Sequence, residues 1–125
     1  MGEVLERPGR RAEVKISRDE IVMFEFEMEP ETDGVGPHFH KQHVDSFYIL
    51  EGEIEMTVAG ETIHAHSGEL VHVEPGVVHS FKNSSRKRVR FLNMHTPGMR
   101  FDEYIRMMDA GENPEPEQYD SFEVH

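Results

Sequence analysis

A regular alternation of apolar and charged residues near the start of the chain constrains the fold most. Residues 21–29, IVMFEFEME, place Val22, Phe24, Phe26 and Met28 at every second position and glutamates at positions 25, 27 and 29. Successive side chains of an extended strand point to opposite faces. The segment therefore predicts a β-strand with one buried face and one face toward solvent.

Similar short segments follow, separated by turns that contain glycine or proline. They predict further strands at Phe47–Leu50, Glu53–Val58, Thr62–His66, Leu70–Val73, Val78–Phe81 and Arg88–His95. Glycine suits such turns because it adopts positive φ angles at little cost. Many short strands at this spacing are typical of a sandwich or a barrel.

The two ends of the chain depart from this strand pattern. A short helix at about residues 99–110 is predicted by four apolar residues at helical spacing, Phe101, Tyr104, Ile105 and Met108. Residues 1–11 are predicted to be a polar arm, and residues 111–125 an extended tail. We expect one domain over residues 1–125, with its barrel at about residues 12–97.

Composition excludes several classes of function. The chain has 125 residues and a formal charge of −12, and this acidic balance argues against binding to nucleic-acid phosphates. No apolar run is long enough for a membrane-spanning helix, and the first residues lack the apolar core of a signal peptide, so we expect a cytoplasmic protein. With no cysteine, disulfides, thiolate ligands and a cysteine nucleophile are excluded.

The placement of the histidines predicts a metal site. His38 and His40 are two residues apart, so on a strand both imidazoles point to the same face. The inward parity of the next strand carries the carboxylate of Asp45 to the same interior, and His79 adds a third imidazole from a distant segment. Three imidazoles and one carboxylate suit one divalent transition metal: Fe, Mn, Ni, Cu or Zn.

The remaining histidines are weaker candidates for metal binding, and Glu74 is a weaker candidate for the pocket. His43 breaks the parity of His38 and His40 and is a weaker candidate ligand. His64 and His66 are predicted to lie on the surface, and we interpret His72 and His95 as ordinary strand residues and His125 as a free terminus. Glu74 is either a surface residue or a second acid near the mouth of a pocket.

Two segments of the chain resemble the paired motifs of the cupin family. In GPHFHKQHVDSFYILEG, His38, His40 and Gly52 match the first motif, and Asp45 occupies the position of its glutamate. The second motif is matched in GELVHVEPGVVHSFKN by four residues, Gly68, Gly76, His79 and Asn83, whereas Glu74 replaces the expected proline. The resemblance extends from about residue 21 to residue 95.

The resemblance implies an all-β fold, a double-stranded β-helix (jelly-roll) barrel, followed here by the short C-terminal helix. It also implies that His38, His40, Asp45 and His79 are metal ligands and that the protein is a homodimer, with the N-terminal arm as a strand-exchange element. Aspartate is one methylene shorter than glutamate. Asp45 would therefore reach the metal through a backbone shift or a bridging water, or it would instead act as the catalytic base.

Inward-facing apolar residues would form a pocket around that metal, and we assign six of them to it: Phe24, Phe26, Phe47, Ile49, Met56 and Phe81. Such a pocket favours a small apolar or phenolic ligand. The stretch TPGMRFDEY also resembles the tail of small quercetin-dioxygenase-like cupins. We therefore expect a metal-dependent, dioxygenase-like oxidoreductase. A non-catalytic binding or sensing domain is the alternative, and a sugar isomerase or epimerase is a further one that the apolar inward faces disfavour.

Overall fold

The computed structural model describes residues 2–124, and these form twelve strands, one α-helix and one 3-10 helix. The first six strands are β1 (Val4–Arg7), β2 (Arg10–Ser17), β3 (Val22–Met28), β4 (Thr32–Asp33), β5 (His38–Phe39) and β6 (Val44–Glu51). The others are β7 (Glu53–Val58), β8 (Glu61–His66), β9 (Leu70–Val73), β10 (His79–Asn83), β11 (Val89–Thr96) and β12 (Phe122–Glu123). Between β11 and β12 lie the helix α1 (Phe101–Asp109) and the 3-10 helix Pro116–Tyr119.

The strands form two antiparallel sheets whose order differs from the order of the chain. The first sheet has the order β1-β2-β3-β11-β6-β9. The second has the order β12-β5-β10-β7-β8, with β4 paired to β10. Strands that neighbour each other in space are thus often distant in sequence, as in a double-stranded β-helix. The two ladders stay separate, so the barrel is open at the level of backbone hydrogen bonds.

The apolar core lies between the two sheets. The alternation in β3 is confirmed, because its residues alternate between buried and half-buried along the whole strand. The same period of two buries Ile54 and Met56 on β7, whereas Val58 at its end stays half-buried. The burial of large side chains such as Phe91 makes this core the main source of stability, since each fully buried apolar side chain contributes about 1.5–3 kcal/mol.

Both ends of the chain are more ordered than the sequence indicated. Residues 4–7 of the predicted polar arm form β1, which pairs with β2 in the same chain. The predicted extended tail was wrong, because it contains the 3-10 helix and then β12, which pairs with β5. The predicted C-terminal helix is present as α1. Within residues 2–124, no helix combines the length and the apolar character that crossing a membrane requires.

Candidate metal centre

The four residues that we predicted as metal ligands come together in the interior. His38 on β5 lies directly opposite His79 on β10, His40 follows in the turn after β5, and Asp45 is the second residue of β6. All four are buried, and one ligand atom from each lies within 4.8 Å of those of the other three. Two sheets therefore contribute to one cluster, which we call the His3Asp cluster.

The three imidazoles are oriented by backbone carbonyl oxygens. Nδ1 of His38 donates to the carbonyl of Gly36 over 2.8 Å, and Nδ1 of His79 donates to that of Val77 over 2.9 Å. Nδ1 of His40 donates to the carbonyl of Asp120 over 2.8 Å. A carbonyl oxygen can only accept, so in each neutral ring the proton is on Nδ1 and Nε2 carries a lone pair. Bonds of this kind are the usual second-shell support of metal-binding histidines.

The carboxylate of Asp45 reaches the imidazoles directly, despite its short side chain. Its Oδ2 lies 2.9 Å from Nε2 of His79 and 3.2 Å from Nε2 of His40. Its Oδ1 accepts a hydrogen bond of 2.7 Å from Nδ2 of Asn93. Burial alone would raise the pKa of this carboxyl, but the neighbouring His95 and the contacts with His40 and His79 hold it well below its usual range. Asp45 is therefore an ionised group at neutral pH.

The donor set fits a transition-metal ion. Burial lowers the pKa of His38 to about 4, so this imidazole is neutral near pH 7 and its Nε2 is free to bind a cation. A cation would therefore meet the Nε2 lone pair of His38 beside the carboxylate oxygens of Asp45. Two ligand atoms at right angles, each about 2.1 Å from a metal, lie about 3 Å apart. The distances of 2.9 and 3.2 Å from Asp45 match this spacing.

A second group of buried polar residues adjoins the His3Asp cluster, and the sequence interpretation missed most of it. His95, which we interpreted as an ordinary strand residue, is buried, and its Nε2 donates to Oδ1 of Asn93 over 2.8 Å. Its Nδ1 lies 2.9 Å from Nε2 of His43, which is also buried. Burial lowers the pKa of His95 to about 3 and lowers that of His43 as well.

A signal for two of these residues was present in the sequence. Val89 and Phe91 on β11 face the core, and the same period of two continues to Asn93 and His95. No such signal exists for His43, because it lies in the turn before β6, where parity does not apply. One ligand atom each of His40, His43 and His95 lies within 4.8 Å of the others, so His43 does adjoin the cluster.

The histidines that we predicted to be on the surface are there. His64 and His66 are exposed and both contact Glu53. His72 is exposed as well, and its Nε2 lies 3.1 Å from Glu74, which is itself exposed. The interpretation of Glu74 as a surface residue is confirmed. His125 lies outside the described residues.

A cavity of about 400 Å³ opens onto the His3Asp cluster. His38, Asp45 and the adjoining Asn93 and His95 contribute to its lining. Of the six residues that we assigned to the pocket, Phe26, Phe47 and Phe81 line it. The other three, Phe24, Ile49 and Met56, are fully buried in the core, where they support the sheets instead.

Helix α1 supplies a second wall that the pocket assignment missed. Its side chains of Phe101, Tyr104, Ile105 and Met108 line the cavity. The ring of Phe101 stacks on His95 with centroids 3.9 Å apart. The sequence showed that this helix has an apolar face, but not that the face would cover the cluster. Apolar side chains therefore make up most of the cavity wall, which also includes the charged residues Arg7 and Glu123.

The family model for the cupin domain matches residues 24–95, which is more than half of the chain. The chain is a cupin. The match spans β3 to β11 and includes every residue of the His3Asp cluster. The recognition from the two motifs is thus confirmed, together with the double-stranded β-helix fold.

Curated relatives of this cupin share only part of their length with it. Quercetin 2,3-dioxygenase of Bacillus subtilis is 30% identical over 79 residues, which cover 63% of this chain and 23% of the relative. The HTH-type transcriptional regulator PuuR of Escherichia coli is 39% identical over 49 residues, which cover 39% of this chain and 26% of the regulator. The chain therefore matches about a quarter of the length of each.

Solved structures share the fold at low sequence identity. KdgF from Halomonas sp. superimposes with a TM-score of 0.67 and 16% identity, over 76% of this cupin and 86% of KdgF. A Streptomyces PAC13 structure with uridine gives a TM-score of 0.67 and 14% identity, over 99% of this cupin and 85% of PAC13. These likenesses show the fold alone, and one fold can host many unrelated functions.

Proposed function

We propose that this cupin is a metal-dependent oxidoreductase of the dioxygenase type, acting on a small apolar or phenolic compound. The observation that carries the proposal is the His3Asp cluster beside a mostly apolar cavity whose wall includes several aromatic rings. Small-molecule sites commonly combine an apolar wall with a few polar groups that fix orientation. The partial similarity to a quercetin 2,3-dioxygenase points in the same direction.

His38, His40, Asp45 and His79 would hold one divalent transition metal. When bound, the metal would act as a Lewis acid toward a hydroxyl or enol oxygen of the substrate and would bring O₂ beside it. Both atoms of O₂ would enter the product, so the reaction needs no external reductant. The identity of the metal is not fixed by three imidazoles and one carboxylate.

Asp45 fits the role of ligand better than that of general base. Its pKa lies well below the usual range, and a weakly basic carboxylate is poorly suited to removing a hydroxyl proton near pH 7. Its Oδ1 is already engaged by Asn93, which leaves Oδ2 toward the imidazoles. The side chains of Phe47, Phe81 and Phe101 would exclude water and hold an aromatic substrate against the cluster.

The test combines metal analysis with oxygen consumption. Purified protein is expected to bind about one transition-metal ion per chain, measured by elemental analysis, and to consume O₂ with one of a panel of flavonols and diketones. Asp45→Asn should lose both the metal and the activity, whereas Glu74→Gln, which changes an exposed acid, should keep both. If the metal-loaded protein consumes no O₂ with any compound of the panel, the proposed oxidoreductase activity is contradicted.

A non-catalytic ligand-binding domain is the second candidate, and the similarity to part of a transcriptional regulator favours it. The same cavity would then bind a small molecule without converting it. Isothermal titration with the panel under anaerobic conditions distinguishes the two. Saturable binding of one compound, recovered unchanged after exposure to O₂, is the result expected for a sensing domain.

A further inference from the structure

The C-terminal segment, residues 116–124, lies outside the part of the chain matched by the cupin domain, yet it contacts two residues of the His3Asp cluster. β12 extends the second sheet beside β5, with Glu123 opposite His38 and Phe122 opposite Phe39. The amide of Val124 donates to the carbonyl of Pro37 over 3.0 Å. The strand that carries His38 is thus held between β10 on one side and this segment on the other.

Asp120 makes the closest connection. Its backbone carbonyl accepts the 2.8 Å hydrogen bond from Nδ1 of His40, the bond that directs Nε2 of that ring into the cluster. Its carboxylate accepts from three donors of the following turn: the amide of Lys41 at 3.0 Å, the amide of Gln42 at 2.7 Å and Nδ1 of His43 at 2.8 Å. Asp120, a single residue of the C-terminal segment, therefore fixes the whole turn formed by residues 40–43.

The local conformation of Asp120 makes this arrangement possible. Its φ of 59° and ψ of 42° lie in the left-handed region, where aspartate is several-fold enriched among non-glycine residues. This conformation caps the 3-10 helix, and the residue is only 4% exposed. A buried carboxylate with three donors, two of them backbone amides, is a built contact and not a surface pair.

We propose that Asp120 is a positioning residue for the metal site and that residues 116–124 act as a clasp on it. This inference rests on the proposed metal centre. The clasp orients His40 and holds the strand of His38, so metal affinity depends on a segment outside the cupin motifs. Because coupling between two sites is reciprocal, bound metal in turn holds the clasp closed.

The first test measures the affinity for Co²⁺, whose absorption bands report ligand geometry. Asp120→Ala keeps the backbone carbonyl that accepts from His40 but removes the three carboxylate bonds that hold the turn around this ligand. Co²⁺ binding should therefore weaken by about 10-fold, the lower end of the usual second-shell effect, and the bands should change. Asp120→Asn should lie between wild type and alanine, because its amide retains one acceptor oxygen for the three donors. Glu117→Ala, an exposed acid of the same segment, should bind as wild type does.

The second test separates positioning from general loss of stability. Ile54→Ala removes core packing on β7, outside the clasp and the cluster, and should lower unfolding stability without changing the Co²⁺ spectrum. In the wild type, Co²⁺ should slow hydrogen exchange at the amides of Lys41, Gln42 and Val124. In Asp120→Ala this protection should be absent.

Three outcomes would overturn the inference. If Asp120→Ala binds Co²⁺ as tightly as wild type does, Asp120 does not position the metal ligands. If Ile54→Ala weakens binding and alters the spectrum as much as Asp120→Ala does, the role of Asp120 is only structural. If wild-type protein itself binds no Co²⁺ and no other transition metal, the proposed metal centre fails and the clasp fails with it, which distinguishes that result from the first two.

Discussion

Asp45 stands where the cupin pattern has a glutamate, and its surroundings explain how an aspartate fits there. The hydrogen bond from Asn93 to Oδ1 leaves Oδ2 facing His40 and His79. Asn93 also accepts from Nε2 of His95, so its amide cannot turn without losing both partners. The orientation of the carboxylate thus depends on a residue that does not itself belong to the His3Asp cluster.

We predict that Asn93→Ala weakens metal binding. Loss of the amide frees Asp45 to rotate, so Zn²⁺ binding should weaken by about 10- to 100-fold in competition titrations with a chelating dye. Leu92→Ala is the matched control, because Leu92 precedes Asn93 on β11 and its side chain points to the opposite face of the sheet. If Asn93→Ala binds Zn²⁺ as tightly as wild type does, the carboxylate of Asp45 keeps its orientation without the hydrogen bond from Asn93.

The residues of the His3Asp cluster could be predicted from the sequence because each lies in a motif with fixed spacing. His43 and Asp120 could not, since their roles depend on a contact between residues 77 positions apart in the chain. Only the folded chain brings such partners together. The spacing of a single sequence carries no signal for contacts of this kind.

Among the elements, the long strands were easier to predict than the short ones. β3 and β7 have enough residues to show a period of two, whereas β4, β5 and β12 have two residues each and show none. The apolar stripe of α1 predicted a helix but not its docking site. That site is set partly by a buried ion pair, in which Nη2 of Arg10 on β2 contacts Oδ2 of Asp109.

This ion pair gives a prediction for the stability of the helix contact. Its side chains are only 8% and 5% exposed, and the Arg10 guanidinium lies 5.3 Å from the ring centre of Phe26. Asp109→Ala leaves a buried charge unpaired and should lower the free energy of unfolding by about 3–5 kcal/mol, measured with urea. Replacing both partners, with Arg10→Met and Asp109→Leu, should restore most of that loss.

The exposed pair of Arg18 and Glu20 provides the control for the buried one. Its side chains are 70% and 69% exposed and their charged atoms lie 3.9 Å apart. Glu20→Ala should therefore change the free energy of unfolding by less than about 1 kcal/mol. An equally small effect of Asp109→Ala on the free energy of unfolding would mean that the buried ion pair adds little stability. The packing of the apolar face of α1 would then hold the helix by itself.

For the whole molecule, metal binding should be coupled to unfolding. The cluster joins both sheets, and its ligands are far apart in an unfolded chain. A metal that binds only the native state should stabilise it by about 2.7 kcal/mol at a free concentration 100 times Kd, raising Tm on the order of 10 °C. Zn²⁺, Ni²⁺ or Mn²⁺ should produce this shift in calorimetry after EDTA treatment.

Two comparisons make the measurement of Tm specific. Mg²⁺ prefers oxygen ligands and should shift Tm much less than a metal that accepts imidazole. The variant His79→Ala, which removes one of the three imidazoles, should lose most of the Zn²⁺ shift. A Zn²⁺ shift of the same size in His79→Ala would assign the binding to other groups, such as the exposed histidines of β8.

Metal-free protein should lose stability as the pH falls from about 6.5 to 4. Burial lowers the pKa of His38 from 6.5 to about 4 in the folded state, so across this window the unfolded chain binds a proton that the folded one does not. Stability therefore rises with pH there, and the full effect of this one group is roughly 3 kcal/mol.

His95, with its pKa lowered to about 3, acts in the same direction. Asp45 adds little above about pH 5, because its carboxyl is ionised in the fold and an unfolded pKa near 3.8 leaves it ionised in the open chain as well. Nearer pH 4 it acts in the same direction as the histidines. Urea unfolding in EDTA at several pH values measures the slope, which should be shallower for His38→Asn because its side chain does not titrate. A wild-type slope no steeper than that of the variant would mean that His38 takes up its proton as readily in the fold as in the open chain. A metal would then compete with a proton for Nε2 of His38 at pH values up to about 6.5 instead of about 4.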